Sequence, residues 1–185
     1  RGAISWGIYD PNQDRERNND SLAVEYRADV TSQLTLALSG RRDDNSEFDG
    51  ANTYRGEAVY QLSSDTRIRG ALGTAIKNPT FTERFGFYTN FIGNPNLVPE
   101  ESKSWEVGFD RQIMQEELVL SVTAFDAELE NEIDGFVYDP ATYAYTSGNM
   151  YGKSARKGAE VSVDGNFSDS MTFSGSYTYI DSKDG

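Results

Sequence analysis

Ile92–Gly108 reads I-G-N-P-N-L-V-P-E-E-S-K-S-W-E-V-G, and two patterns meet inside it. The first half carries Asn94-Pro95-Asn96 and Pro99. Proline fixes φ and disfavours helix at the residue before it, and asparagine suits turns, so this half predicts an ordered, irregular loop. The second half alternates: Trp105, Val107 and Phe109 fall on one face of an extended chain, and Ser104, Glu106 and Asp110 on the other.

The same period of two runs outward in both directions. Leu22, Val24, Tyr26 and Ala28 alternate with Glu25, Arg27 and Asp29, and Leu34, Leu36 and Leu38 with Thr35 and Ser39. In Asn52–Leu62, Tyr54, Ala58, Tyr60 and Leu62 oppose Thr53, Arg55, Glu57 and Gln61, with Val59 out of step. Ala159, Val161, Val163 and Phe167 oppose Glu160, Ser162, Asp164 and Asn166. Phe173, Tyr177 and Tyr179 oppose Thr172, Ser174, Ser176 and Thr178. Leu118–Asn131 begins with Leu118, Leu120, Val122 and Ala124 on one face, then moves its apolar set to Phe125, Ala127 and Leu129. A bulge, or a passage out of a membrane, accounts for such a switch. No helical period of useful length appears.

The connections sort by length. Val30–Gln33, Ser63–Thr66, Gln112–Glu117 and Ser168–Met171 are short and polar, whereas Asp43–Ala51, Ile76–Ser102 and about Glu132 to Ser154 are long. Short turns on one rim and long loops on the other are expected of an outer-membrane barrel. Alternation alone fits a soluble sandwich with its polar faces outward slightly better than a barrel with those faces turned in, and the sorting of the loops weighs the other way.

Composition narrows the chemistry. The net charge of −13 leaves little basis for nucleic-acid binding, which needs clustered Lys and Arg. With neither Cys nor His, the chain has no disulfide framework, no Ser-His-Asp or Cys-His catalysis and no usual His-containing zinc site. Mean hydropathy is −0.64 and no run approaches the roughly 18 apolar residues of a membrane helix. Barrel strands escape that test because only alternate residues face lipid. The eleven Tyr and ten Phe fit either ordinary strand preference or an interfacial girdle.

Candidate catalytic and metal sites fall away individually. Asp10-x-Asn12-x-Asp14 starts like a calcium loop, but Arg15 stands where Gly is required and Ser21 where a bidentate Glu belongs. Asp43-Asp44-Asn45, Glu47 and Asp49 read as a solvated charge run. The adjacent carboxylates Glu100-Glu101 and Glu116-Glu117 point to opposite sides of an extended chain and form no dyad. No catalytic residue, metal ligand or cofactor is expected.

The loop-to-strand passage, preceded by Gly73-Thr74-Ala75-Ile76-Lys77-Asn78-Pro79, resembles the β-barrel domain of TonB-dependent outer-membrane receptors. The resemblance continues through Tyr54–Ala58, Phe85-Gly86-Phe87-Tyr88, Gly93–Leu97, the Leu-x-Pro-Glu-x-Ser-x-x-x-Glu-x-Gly pattern over Leu97–Gly108, Val122–Phe125, Ile133, and Asn149 with Lys157–Glu160. Its spacing looks closest to the vitamin B12 (cobalamin) receptor branch, with siderophore receptors sharing most of it. It implies an all-β, antiparallel up-and-down transmembrane barrel, here a partial one of about nine or ten strands over residues 1–185. At about 22 strands the whole barrel is longer than this chain, so the plug and the final strands are expected elsewhere. The sequence begins at Arg1 without a Met, an apolar signal region or a cleavage site, so both ends read as cut.

The partners implied are outer-membrane lipid, a transported corrinoid or ferric siderophore, and TonB through the plug. External loops of the family help capture ligand, which makes Phe81, Phe85, Phe87, Tyr88 and Phe91, with Tyr138, Tyr143 and Tyr145, the binding candidates; packing within their own loops is the equal alternative. Glu106 and Glu160, inward by parity, are expected to pair with Arg55, Arg67 or Arg69. The competing architecture is a complete small barrel or sandwich serving as a ligand-binding or adhesin-like module. It requires Arg1–Tyr9 or Leu22–Asp29 to pair with Phe173–Ile180.

Overall fold

The computed structural model describes residues 14–86, 90–113, 118–168 and 170–184. The alternating segments form strands β1 (Asn19–Asp29), β2 (Leu34–Asn45), β3 (Ala51–Ser63), β4 (Thr66–Lys77), β5 (Glu100–Ile113), β6 (Leu118–Glu130), β9 (Lys153–Ser168) and β10 (Met171–Lys183). These make one eight-stranded sheet in the order β1-β2-β3-β4-β5-β6-β9-β10. Each neighbouring pair is antiparallel. Two elements sit in the long connections: helix α1 (Phe81–Phe85), and a separate hairpin of β7 (Ile133–Asp139) with β8 (Ala144–Asn149).

Neither inserted element was visible in the periodicity. The Asp139-Pro140-Ala141-Thr142 turn interrupts the hairpin's strand pattern, and five residues are too few to show a helical one. Local chemistry does signal them. Thr80 and Glu83 form a reciprocal capping box at the start of α1. At the hairpin turn the Ala141 amide donates to Asp139 Oδ1 at 2.9 Å, and the Thr142 hydroxyl donates to Asp139 Oδ2 at 2.8 Å.

The sheet is one layer thick, so it has no interior of its own. The buried hydrophobic residues among those described are Phe91, Leu97 and Ala144, all in the long connections. Leu22, Val24, Tyr26, Leu72, Trp105, Val122 and Tyr177 are exposed on one face of the wall. A sandwich would cover that face with a second sheet, and a complete small barrel would join β1 to β10. Among the described residues β1 pairs only with β2, and β10 only with β9. The Arg1–Tyr9 strand considered above lies outside the described residues.

Register shows how the wall stands in its apolar band. Tyr26, Leu38, Gly56, Leu72 and Trp105 are successive cross-strand partners, and the same row continues as Asp126, Lys157 and Asp181. A row perpendicular to the strands leaves an apolar band when the strands are tilted to it, as barrel closure demands. Such a tilt accounts for β6 as well. Pairing of β6 with β5 and β9 runs without a register shift, so Phe125, Ala127 and Leu129 mark the strand's exit beyond the band and no bulge.

The opposite face carries the charges. Arg67 and Arg69 converge on Asp110 at 2.8 and 3.4 Å, and Arg69 also reaches Glu106 at 3.6 Å. The expected Glu106–Arg69 pair is therefore present. Glu160 instead accepts from the Thr178 hydroxyl at 3.0 Å, and Arg55 pairs along its own strand with Glu57. Gly158 lets Phe125 lie across the same face, because a Cβ there would meet the Phe125 ring at 2.8 Å and collide with the Tyr179 carbonyl.

A charge placed on the apolar face tests this orientation. Val122→Arg should cost about 2–4 kcal/mol of stability in lipid vesicles, while Ser176→Arg on the opposite face should change it little. Denaturant titration of the folded, heat-modifiable form reads both. Equal costs would reverse or abolish the assignment of faces.

Candidate functional site

The long connections all lie at one rim: residues 46–50, 78–99 and 131–152, against short turns at the other. They are built onto one another. Phe91 forms a parallel bridge with Tyr145; Ile92 N donates to Tyr145 O, and Tyr145 N to Asn90 O, each at 2.8 Å. The connection after β4 thus joins the β7–β8 hairpin through a single parallel bridge.

Two asparagines close the assembly. Asn94 Nδ2 donates to Ser147 O at 3.0 Å, while its Oδ1 accepts from Asn96 N at 3.0 Å. Asn149 Oδ1 accepts from Val98 N at 2.9 Å; its Nδ2 donates to Val98 O at 3.0 Å and Asn131 O at 2.7 Å. Side-chain amides suit this work because each offers donors and an acceptor to backbone that has left the ladder. Gly93 permits the close approach, since a Cβ there would collide with the Phe85 backbone amide.

The two sequence patterns meet as an ion pair. Lys77 Nζ lies 3.0 Å from Glu100 and 3.9 Å from Glu83, and Glu100 also accepts from Ile133 N at 2.8 Å. One lysine–glutamate pair thereby fastens the ends of β4 and β5 to the entry of the hairpin. Further round the rim, Arg84 pairs with Glu47 at 3.1 Å.

The sequence-derived candidates occupy different places. Phe91 is 3% exposed and packs against Phe136 with ring centroids 5.5 Å apart. Its position is that of the packing alternative. Phe81 is exposed, Phe85 half-buried, and their rings lie 6.2 Å apart. Tyr138, Tyr143 and Tyr145 are exposed on the hairpin, with Tyr138 and Tyr145 meeting edge to face at 5.6 Å. Tyr143 takes a left-handed conformation, φ 54°, in the hairpin turn. Phe87 and Tyr88 lie outside the described residues. Phe136 and Tyr151, also exposed, were missed. Phe136 was legible as part of a Phe-Val-Tyr run, whereas Tyr151 had no signal beyond its loop position.

Two carboxylates here are held below their ordinary range. The Ser154 hydroxyl and then the Arg156 guanidinium, at 2.5 Å, lower Glu132; the Ala141 amide and Thr142 hydroxyl lower Asp139. Groups depressed on folding stabilise the loops above their ordinary values of 4.5 and 3.8, and that contribution is lost as pH falls through the lower folded values. Hairpin amide exchange should therefore rise on acidification, after correction for intrinsic rates, and Glu132→Gln should flatten the profile. A profile unchanged by this substitution would rule Glu132 out. At neutral pH, Asn149→Ala should loosen residues 90–99 by about 1 kcal/mol, read as faster exchange at Val98.

The family model described as TonB dependent receptor-like, beta-barrel matches residues 2–185. The siderophore receptor PirA from Pseudomonas aeruginosa superposes with a TM-score of 0.77 at 19% identity, over 91% of this chain and 35% of that one. The ferripyoverdine receptor of the outer membrane of Pseudomonas aeruginosa, bound to ferripyoverdine, gives 0.64 at 22% identity, over 91% and 23%. The copper transporter OprC gives 0.74 at 12% identity, over 91% and 29%. At these identities the likeness is one of fold, and the chain spans about a quarter to a third of the length of these structures. The one-layer wall, the one-sided loops and the family match agree: the chain belongs to the TonB-dependent receptors, as part of their outer-membrane β-barrel.

Proposed function

We propose that the chain supplies wall and external loops to an outer-membrane receptor for TonB-dependent uptake of a metal chelate such as cobalamin or a ferric siderophore. The observation that carries this reading is the placement of the buried core. A wall needs no interlocked loops in order to span lipid, yet the described buried hydrophobic side chains lie in those loops. The fastened loops hold exposed Phe81, Tyr138, Tyr143 and Tyr145 on a common rim, with Phe85 half-buried beside them. Aromatic side chains give large contact area for few rotatable bonds, which suits capture of a bulky chelate.

No bond is made or broken in this role. The loops bind and orient the ligand, the barrel provides the passage, and the resemblance assigns coupling to TonB to the plug domain of the whole receptor. The sequence pattern leans toward cobalamin, while the structural neighbours named above include siderophore receptors and a copper transporter.

Cyanocobalamin, a ferric tris-hydroxamate and a ferric tris-catecholate, titrated against the full-length receptor by fluorescence quenching, test the proposal. At least one should bind, and joint alanine substitution of Phe81, Phe85, Tyr138, Tyr143 and Tyr145 should weaken it about tenfold or more. Phe91→Leu, which keeps apolar bulk in the buried site, should leave affinity nearly intact. Full affinity in the five-residue variant would remove these aromatics from ligand capture.

A further inference from the structure

Three guanidinium groups lie against three phenyl rings at the loop mouth, two of them within a closed circuit and Arg15 on its outside. Arg15 Cζ lies 3.7 Å from the centre of the Phe85 ring. Arg84 lies between Phe85, at 5.0 Å, and Phe48, at 4.9 Å. Arg17 lies 5.9 Å from Phe48 and 5.3 Å from Phe81. The 6.2 Å contact of Phe81 with Phe85 closes the circuit. Three separate stretches contribute: the segment before β1, the β2–β3 connection, and α1.

The three cations are not equivalent. Arg84 is committed to Glu47 and to the Pro95 carbonyl, and its side chain is 11% exposed. Arg15 and Arg17 have no carboxylate partner among the described residues, although acidic residues outnumber basic ones by 30 to 17. Arg15 is exposed; Arg17 gives one N–H to the Pro79 carbonyl at 2.6 Å. Stacking on a ring fixes a guanidinium by its face and leaves its in-plane N–H groups free to donate. Arg17 also borders a cavity of about 310 Å³ beside Asn19, Arg41 and Asp43. Those three alternate in register with the polar face of β1 and β2, so the arginine is reachable from the charge-bearing side of the wall.

We propose that this ring is an anion-recognition subsite, and that the chelate taken up is a polyanion whose oxygen atoms accept hydrogen bonds from Arg15 and Arg17. This rests on the uptake reading above and specifies its ligand class, a metal complex with several exposed anionic oxygens, in place of a corrinoid without net negative charge. Phe81 and Phe85 supply aryl surface beside the cations, so planar aromatic oxygen donors fit the subsite best.

The test compares a trianionic ferric tris-catecholate with a neutral ferric tris-hydroxamate and neutral cyanocobalamin on the full-length receptor, at low and high salt. The trianion should bind tightest, and its affinity should fall with salt, since exposed charges are screened over roughly 10 Å at 0.1 M. Arg15→Gln with Arg17→Gln should weaken the trianion about tenfold or more and leave the neutral probes unchanged. Arg15→Lys with Arg17→Lys keeps the charge without the planar fork and should recover part of the salt-sensitive preference. A glutamine variant that loosens the loops but treats all three probes alike makes the ring a structural strap and overturns the proposal. Preference of the wild type for a neutral probe overturns the charge assignment and leaves the uptake reading standing. Failure to bind any of the three overturns both.

Discussion

Backbone amides in a one-layer wall are hydrogen-bonded sideways, to the next strand, because strand geometry aims them along the sheet and the lipid against the outer face offers them no partner. That requirement sets the rest of the architecture. It forces the simple up-and-down order of the strands, and it leaves side-chain parity as the only means of telling inside from outside. Apolar residues therefore gather on the outer face, where Leu22, Leu72 and Tyr177 stand without protein cover. Polar residues gather on the other, where Arg67 and Arg69 share Asp110. Charges in that position are stabilised by mutual pairing and by water, and replacing one partner would leave the other exposed to a poorer environment.

The same requirement explains why the sheet was legible from sequence and the loops were not. A strand reports its two faces every second residue, so β1, β2, β3, β5, β6, β9 and β10 announced themselves locally, and the loop lengths sorted the two rims. The positions of Phe125, Ala127 and Leu129 were also legible as a change of face, with register choosing between its two explanations. In the loops the backbone has no ladder to follow, and its partners are remote in sequence. Asn149 reaches Val98, and Asn94 reaches Ser147. No period reports such pairings. The turn-forming character of Asn94, Pro95 and Pro99 was readable, but what the turns would be fastened to was not.

The candidate site divides along the same line. Aromatic residues in long loops were an obvious choice, yet composition cannot separate a ring that packs from one that is presented. Burial separates Phe91 from Tyr138 and Tyr143. The arginine–phenylalanine ring was invisible for a stronger reason: Arg15 lies before β1, while Phe48 and Phe81 belong to two different connections. Only folding of the wall brings those connections to one rim.

Loop fastening and ligand capture are physically linked. A long flexible connection would pay to be ordered each time a ligand bound, and that cost would come out of affinity. Here the ordering is largely done in advance. Phe91, Leu97 and Ala144 supply a small dry core, and Asn94, Asn149 and the Lys77–Glu100 pair hold the backbone around it. The exposed rings then stand on an assembled support, and the cost of placing them falls on the folding of the barrel. Such an arrangement makes the buried loop residues important to binding without contact. Phe91 can be essential to the geometry of a site whose ligand it never touches, so loss of affinity on its removal would report the support, while loss at Tyr138 or Tyr143 with the core intact would report the contact.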